Sequence, residues 1–416
     1  MLNSIARCVS LFVVVGLLLA CFTVPALGVA ITWDNGGGDQ LWSNNANWNA
    51  DNPAAGNDIT FNNTASVGSA GTVTNIVDAS VSIASLNYLS DSNAGNFHTT
   101  QINNGQTLTV TGAMSLGITS GFVGTNVTIK GATAGQGTLT VNNPATNFTT
   151  TGTTGFYTPN FNTVLDMKDL GTFNATVNAF NVSTGFGPSV TTLNLAGSNT
   201  IVTNDLNIGT QPWNGFITMN LGQTNVIHTD RLGVASINPQ SGSGTLQFRA
   251  GLVNPTLTIR DKAGTGRADV IAGARNQDSG VNPGTINLNG GIVDALLGTV
   301  RLGIGNSTAG AGSNQSKSAV GILQFNGGTI DATSITLAEA NTGNVPLATG
   351  TLSIGSISSS VFGTLIADTI TMTHRPTGTA GSTAATINLN GSAVLRATNI
   401  QQGASAGTGA STRTFN

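Results

Sequence analysis

The feature of this sequence that most constrains its fold is a four-residue phrase, Thr–apolar–polar–apolar, that recurs along the chain. Apolar residues at every second position are typical of a β-strand with one buried face. From residue 192 onward, successive copies begin 26, 27, 40, 37, 29 and 35 residues apart. An irregular period of this length predicts one coil of a solenoid with loops of variable length. The copies, one of which has Ile in place of Thr, are Thr107–Val110, Thr138–Val141, Thr192–Leu195, Thr218–Leu221, Thr245–Phe248, Thr285–Leu288, Ile322–Phe325, Thr351–Ile354 and Thr386–Leu389.

Several copies run into a Gly-containing turn and a second alternating stretch. Leu288-Asn289-Gly290-Gly291 and Phe325-Asn326-Gly327-Gly328 are the clearest examples. Asn-Gly between alternating strands is a strong signal for an antiparallel hairpin, but Gly and Asn also form the corners of a parallel coil. Three short strands per unit of about 30 residues favour the second interpretation. We therefore predict an all-β, right-handed parallel β-helix with stacked aliphatic and Asn ladders. An array of β-sandwich or hairpin units is the alternative.

The composition limits the fold and the class of partner. Only 7% of the residues are charged, and Glu339 is the only glutamate. Helices depend on Glu, Lys, Leu and Ala, so a mainly helical protein is excluded. With 39% hydrophobic residues and a formal net charge of −3, charge-driven disorder is excluded as well. This balance offers no electrostatic basis for binding nucleic acid. With coils of about 26 residues, the chain would make roughly 14 coils.

The first thirty residues have the pattern of a signal peptide. Arg7 precedes an apolar run over Val9–Phe22, and small residues lead to a predicted cleavage after Ala30. A lipidated Cys21 is the alternative, because the residues before it resemble a bacterial lipobox. Both cysteines, Cys8 and Cys21, lie inside this segment, so the exported chain would have no disulfide or thiolate site. No later apolar stretch is long enough for a transmembrane segment.

Residues 31–61 differ from the repeats that follow them. They hold three of the four tryptophans, Trp33, Trp42 and Trp48, with Gly36-Gly37-Gly38-Asp39 between the first two and Phe61 at the end. This pattern resembles the N-terminal unit of the autotransporter-associated β-strand repeat family of large bacterial surface proteins. The resemblance implies a secreted or cell-surface role and assigns no catalytic residue.

The signal-peptide pattern, the tryptophan segment and the repeats together suggest a division of the chain. Residues 1–30 are the signal peptide, residues 31–105 a Trp-rich cap with the first coils, and residues 106–416 irregular repeats. No translocator barrel of the kind found in the family's autotransporters follows, and the sequence ends within a repeat. We therefore expect it to be truncated at the C-terminus.

The tryptophans have two physical interpretations. Large rings bury much area in one place, which suits a plug at the open end of a solenoid. The same rings, if exposed, form a platform for sugar rings. Trp33, Trp42 and Trp48 are therefore candidates for either a cap or a glycan-binding cluster.

Carboxylate pairs are the first candidates for catalysis. Glycoside hydrolysis needs two carboxyl groups across the scissile bond, and the nearest pairs are Asp166/Asp169 and Asp34/Asp39. His228 and Asp230 would share one strand face, but the sequence identifies no nucleophile beside them. We expect turn and surface-pairing roles for all of these groups.

The remaining polar clusters also lack a complete motif. His98 and His374 are isolated, and the Gly36–Asp39 segment is half of a calcium-binding repeat. Basic residues concentrate between Arg249 and Arg275, where we expect a long loop that is either solvated or a contact site for acidic polysaccharide. The sequence therefore predicts no catalytic, cofactor or metal site and no enzymatic activity.

The function that fits these observations is a secreted or cell-surface structural or adhesive rod. Its expected partners are extracellular polysaccharide or cell-surface matrix, bound through many weak contacts. A polysaccharide-binding or polysaccharide-degrading β-helix is the alternative.

Overall fold

The computed structural model describes residues 28–62, 68–90, 96–118, 125–150, 161–182, 189–209, 215–236, 243–275, 282–306, 318–342, 347–356, 362–376, 381–406 and 409–416. Within these ranges the chain forms 28 β-strands, two three-residue 3-10 turns and no α-helix. The predicted signal peptide lies outside the described residues except for its last three positions. Ala30, the predicted cleavage point, is the first residue of β1 and pairs with Asp58.

The strands follow one another along the whole described chain. The two 3-10 turns are Asn45–Asn47 and Asn49–Asp51. The strands are β1 (Ala30–Thr32), β2 (Asp58–Phe61), β3 (Asn75–Val77), β4 (Val81–Ile83), β5 (Ser85–Ser90), β6 (Asn96–Ile102), β7 (Thr107–Val110), β8 (Met114–Ile118), β9 (Thr125–Gly131), β10 (Gln136–Thr150), β11 (Phe161–Asp166), β12 (Leu170–Val182), β13 (Ser189–Asn194), β14 (Ser198–Ile208), β15 (Phe216–Leu221), β16 (Thr224–Val234), β17 (Ser243–Phe248), β18 (Thr256–Arg260), β19 (Ala268–Arg275), β20 (Asn282–Leu288), β21 (Ile292–Asn306), β22 (Ala319–Phe325), β23 (Gly328–Thr342), β24 (Leu347–Ile354), β25 (Gly363–His374), β26 (Ser382–Leu389), β27 (Val394–Gln402) and β28 (Ser411–Phe415).

The strands form two sheets in which neighbouring strands are parallel. Sheet 1 has 16 strands in the order β1-β2-β5-β8-β10-β12-β14-β16-β18-β21-β23-β25-β27, with β4, β7 and β19 beside this path. Sheet 2 has 12 strands in the order β3-β6-β9-β11-β13-β15-β17-β20-β22-β24-β26-β28. Beyond β9 the chain alternates between the sheets, one passage through each per coil, which is a parallel β-helix. The right hand of this helix stays a prediction, based on the right-handed crossovers between parallel strands found in nearly all proteins.

The spacing of the repeated phrase is the length of a coil. Thr192 pairs with Thr218, Thr218 with Thr245, and Thr245 with Thr285. Each copy from residue 192 onward thus stacks on the next in sheet 2. The copies at Thr107–Val110 and Thr138–Val141 also pair with each other, but they lie in sheet 1. The phrase therefore marks strands of both sheets.

The hairpin alternative is wrong at the Asn-Gly turns. Asn289-Gly290 connects β20 of sheet 2 to β21 of sheet 1, so the turn is a corner of a coil. Gly290 has a φ of +86°, a backbone conformation that favours glycine. Its N–H donates to the Asn326 side-chain oxygen of the next coil at 2.8 Å. The estimate of 14 coils is also too high: sheet 2 receives 12 strands, because many coils are longer than 26 residues.

The interior is a set of stacked columns. Because each coil is covered by its neighbours, one apolar side chain per strand is enough to continue a column. A buried Asn ladder of the expected kind is also present: the Asn199 side-chain amide donates to the Asn225 side-chain oxygen at 3.0 Å, and both residues are buried. The longest apolar column in sheet 2 is Val127, Leu165, Leu193, Met219, Leu246, Ile286, Leu323, Leu352 and Ile387.

The two sheets come into backbone contact along one line. Successive long strands of sheet 1 bend at a residue with left-handed φ, and a column of glycines in sheet 2 faces these bends. A Cβ on Gly321 would lie 2.2 Å from the Gly303 nitrogen and 2.4 Å from the Ala272 oxygen. The facing glycines are Gly244, Gly284, Gly321 and Gly350. The left-handed bends are at Gly209, Ala235, Gly273, Gly303, Ala338 and Thr373.

Candidate functional site

The three tryptophans of the N-terminal segment form one buried cluster. Trp33 and Trp48 are bridged through their backbones, and their rings meet edge to face at 4.8 Å. The Trp42 ring meets Trp48 edge to face at 5.2 Å. All three rings lie within 6.1 Å of the Phe61 ring, measured between centroids. Such edge-to-face and tilted contacts are the favoured geometry of aromatic packing.

The cluster continues into the first coils through a column of aromatic rings. Phe61 stacks on Tyr88 at 5.1 Å, and both side chains are fully buried. The Tyr88 hydroxyl lies 2.6 Å from the Thr100 hydroxyl. Burial raises the pKa of the Tyr88 phenol, and the hydrogen bond with Thr100 opposes part of this rise. The phenol therefore stays neutral and joins sheet 1 to sheet 2 beneath the tryptophans.

The indole N–H groups of two of the tryptophans donate hydrogen bonds to buried acceptors. The Trp42 indole N–H donates to the Asn75 side-chain oxygen at 2.9 Å, and the Trp48 indole N–H donates to the Trp42 carbonyl at 3.1 Å. The exposed fraction is 0% for Trp33 and Trp48 and 3% for Trp42. Rings buried to this extent present no open face to a sugar, so the geometry favours the capping interpretation over a glycan platform.

The Gly36–Asp39 turn serves the same cluster. The Asp39 carboxylate accepts hydrogen bonds from the Asn47 side chain at 2.6 Å, the Asn44 side chain at 2.9 Å and the Leu41 N–H at 3.1 Å. The bonds from Asn47 first, and then from Leu41 and Asn44, lower the pKa of Asp39. Both carboxylate oxygens are thus occupied by donors of the chain. Among the described residues, no three His, Cys, Asp or Glu side chains are grouped in a way that suits a metal ion.

The Asp166/Asp169 pair lies at a turn between the two sheets, as expected. Asp166 ends β11, and its carboxylate accepts hydrogen bonds from the Lys168 N–H at 3.1 Å and the Asn194 side chain at 3.2 Å. The Lys168 ammonium lies 3.1 Å from the other carboxylate oxygen. The Asp169 carbonyl accepts from Gly131 and Gly135. These contacts hold neighbouring coils together.

His228 and Asp230 share the outer face of β16, as the alternation predicts. The Asp230 carboxylate accepts the Lys262 backbone N–H at 3.1 Å. A Cβ on Gly264 would lie 2.7 Å from the His228 ring, so the connection between β18 and β19 packs against the imidazole. Arg231 pairs with Asp205 at 2.9 Å on the adjacent strand. Surface pairing of Asp with Arg is thus present between Asp205 and Arg231, whereas the Asp230 carboxylate bonds to a backbone N–H.

The basic cluster between Arg249 and Arg275 is not one long loop, and that prediction was wrong. The 40-residue coil contains two strands of sheet 1, β18 and β19, joined by a short connection. Arg260 ends β18, Arg275 ends β19 and Arg249 follows β17. Sequence spacing could not separate a long loop from a divided strand, because both lengthen the period equally.

The arginines of this cluster bond to neighbouring coils. Arg260 forms a 2.7 Å ion pair with Asp294, and Arg267 forms a 3.0 Å ion pair with Asp331. Arg260 also donates to the Asp294 carbonyl, and Arg267 to the Leu297 and Asp331 carbonyls. Their guanidinium groups thus bridge successive strands of sheet 1, which leaves less capacity for an acidic polymer.

Two further charged groups escaped the sequence reasoning. Arg301 forms a bidentate pair with Glu339, both N···O distances being 2.8 Å. Arg375 is 3% exposed and donates to the Gly381 and Gly409 carbonyls and to the Ser405 hydroxyl. The available signal was the rarity of charge: a single glutamate in a nearly neutral chain invites the search for an arginine partner.

The two isolated histidines have different surroundings. His98 is buried and its ring lies 5.7 Å from the Tyr88 ring. His374 ends β25 in register with Glu339 of the preceding coil.

The described ranges contain no helix long and apolar enough to cross a membrane. No protein-family model matches the chain, and no curated protein or solved structure is significantly similar to it. The family resemblance therefore rests on the tryptophan motif and the repeats alone.

Proposed function

We propose that this protein is an exported β-helical rod with a structural or adhesive role at the cell surface or in the extracellular space. In this proposal it resembles the passenger part of an autotransporter-associated repeat protein. The observation that carries the proposal is the stack of parallel coils beneath a buried tryptophan cluster. Twelve strands about 4.8 Å apart give a rod of about 55 Å.

The use of charge supports a structural role. The ion pairs Arg260–Asp294, Arg267–Asp331 and Arg301–Glu339 link one coil to another. Paired and partly buried in this way, charged groups fix the stacking register more than they bind a ligand. What each coil offers outward is mainly short, neutral and polar. Contacts of this kind are individually weak, and repetition along the rod multiplies them.

Export can be tested with the full chain carrying a C-terminal epitope tag in a bacterial host. We expect the mature chain to begin at Ile31 and to be found outside the cytoplasm. Val14→Asp interrupts the apolar run and should leave an uncleaved precursor in the cytoplasm, whereas Asn3→Ser, before the run, should behave as the wild type. A wild-type chain that keeps Met1 and stays cytoplasmic would contradict the proposal. A mature chain that begins at Cys21 with a lipid attached would identify the lipoprotein alternative instead.

The adhesive role needs its own measurement. Beads coated densely with the purified chain should bind extracellular matrix from the native host more tightly than beads coated sparsely with it, because avidity grows with valency. Binding that does not depend on density, or no binding above an albumin-coated control, would leave only the structural role.

A further inference from the structure

The outer face of sheet 2 carries two parallel columns of polar side chains in strict register. The first column is threonine in seven of eight successive coils, and the second is mostly Asn or Gln. We call this surface the threonine–amide face. Neighbouring positions are about 4.8 Å apart along the rod, and the two columns are about 6.8 Å apart across it. The first column is Thr192, Thr218, Thr245, Thr285, Ile322, Thr351, Thr386 and Thr414. The second is Asn194, Asn220, Gln247, Asn287, Gln324, Ser353, Asn388 and Asn416.

The amide column is partly bonded to itself. Asn220 donates to Asn194 at 2.8 Å, Gln247 to Asn220 at 2.9 Å, and Asn416 to Asn388 at 2.8 Å. Each such bond uses one of the two N–H donors of an amide and one of the two lone pairs of its oxygen. The ladder therefore fixes the side chains in place and leaves a donor and an acceptor on successive coils for a ligand.

The threonine column is half-exposed and offers hydroxyl and methyl groups side by side. A hydroxyl both donates and accepts, and the methyl gives a small apolar contact. Because every threonine sits at the same position of its strand, these groups repeat with the period of the coil. A polymer that presents the same group at a similar period can therefore bond to many coils at once.

The face is also uncharged, in contrast to the opposite face of the rod. Neither column contains an acidic or basic residue from Thr192 to Asn416. The neighbouring outward column, which includes the exposed Val190 and Phe216, is uncharged as well. Sheet 1 carries most of the ion pairs, among them Arg231–Asp205 and Arg260–Asp294. The Lys168–Asp166 pair of sheet 2 lies one coil before Asn194, at the N-terminal end of the amide column. An uncharged partner is the electrostatic match for this surface, since a charged polymer would give up ion hydration there without gaining a counter-charge.

We propose that the threonine–amide face binds a neutral, linear polysaccharide lying parallel to the rod axis. Hydroxyl groups of successive sugars bond to the free donors and acceptors of successive coils, and the C–H faces of the sugars contact the threonine methyl groups. This inference rests on the proposed multivalent rod and names its partner class and its surface.

The test uses the purified full chain and neutral probes of graded length: oligosaccharides of β-1,4-glucan, β-1,3-glucan and β-1,4-mannan. We expect affinity for at least one series to rise with length, up to the eight positions of the column, and to depend little on salt. Polygalacturonate serves as the anionic comparison. Binding to polygalacturonate alone, lost on adding salt, would overturn the proposal and move the contact to the charged face.

Matched substitutions locate the surface. Thr285→Lys places a long cation in the middle of the threonine column and should weaken binding by about tenfold or more, equivalent to about 1.4 kcal/mol. Thr364→Lys, at a half-exposed position of sheet 1, should leave binding unchanged. Far-UV circular dichroism confirms that both variants fold. Equal loss in both variants, or no binding of any neutral probe by the folded wild type, would refute the proposal. Since the measurement needs no export, its failure is distinct from a failure of the export test.

Discussion

A single methyl group added at Gly321 should destabilise the β-helix strongly. Gly321 lies in the column of sheet 2 that faces the left-handed bends of sheet 1. The Cβ of an alanine there would lie 2.2 Å from the Gly303 nitrogen and 2.4 Å from the Ala272 oxygen. These atoms belong to the backbones of two successive coils. They cannot turn aside as a flexible side chain can, so the two sheets must separate locally.

The magnitude follows from the size of the overlap. The closest contact is more than 1 Å shorter than the 3.4 Å at which ordinary van der Waals contact begins. Overpacking of a well-ordered interior costs about 1–3 kcal/mol, and rigid neighbours place this site near the upper value. Reduced entropy of the unfolded chain offsets about 0.5 kcal/mol. We therefore expect Gly321→Ala to lower the free energy of unfolding by about 2.5 kcal/mol, equivalent to a shift of about 1 M in a urea midpoint.

The assay must report on the affected coils. Three tryptophans lie in the N-terminal cluster, so urea unfolding is followed by far-UV circular dichroism and by hydrogen exchange in β20, β22 and β24. Ala385→Gly is the matched control, because Ala385 continues the same column beyond Gly350 with a Cβ already present. It should cost only about 0.5–1 kcal/mol. If Gly321→Ala lowers the free energy of unfolding by less than 1 kcal/mol and leaves hydrogen exchange in these strands unchanged, the backbone contact does not limit the distance between the sheets.

Three further predictions concern the cap and the inter-coil pairs. Trp48→Ala should lower the free energy of unfolding by about 3–5 kcal/mol, measured by urea unfolding. It should also promote oligomers through exposed strand edges, measured by light scattering. A variant that stays monomeric with unchanged stability would refute the capping role. Arg301→Met should lower the free energy of unfolding by about 3 kcal/mol, because it leaves the Glu339 carboxylate buried without its arginine partner. Adding Glu339→Gln to this variant should restore part of the lost stability. No recovery in the double variant would show that the lost pairing is not the cause. Hydrogen bonds depress the pKa of Asp39 below the ordinary 3.8. The Asp39 carboxylate therefore stabilises the folded cluster above pH 3.8, and this stabilisation is lost as the pH falls through the lower pKa of the folded state. Asp39→Asn should reduce the acid sensitivity of tryptophan fluorescence, and an unaltered pH profile would contradict this.

The repeat pattern predicted more than the fold class. The number of residues between successive phrases equals the number of residues between paired positions in sheet 2. Thr245 therefore stacks on Thr218, and Thr285 stacks on Thr245. This works because equivalent residues of stacked coils face the same environment and select the same residue types. The number of coils was overestimated because many coils are longer than the assumed 26 residues, such as the 40-residue coil that contains both β18 and β19.

The candidate site was less predictable. The sequence identified Trp33, Trp42 and Trp48 as a group and favoured a cap, but it could not exclude a sugar platform. A tryptophan in the sequence looks the same whether its ring is buried or exposed. The pairing of Arg301 with Glu339 joins residues 38 positions apart, which no local pattern encodes. The glycine column was equally hidden, since 55 glycines give no indication of which ones meet another backbone.

By itself the sequence determined the all-β class, the period of the coil and the alternation of buried and exposed residues. These properties are local: they depend on strand propensity, on corner residues such as Gly290 and on repetition. Only the tertiary structure decided which outward columns share a face, which charges bridge coils and where Gly321 meets the opposite sheet. Those contacts depend on how each coil closes in three dimensions. The closure is set by packing between residues far apart in the chain, so it is visible only once the coils are stacked.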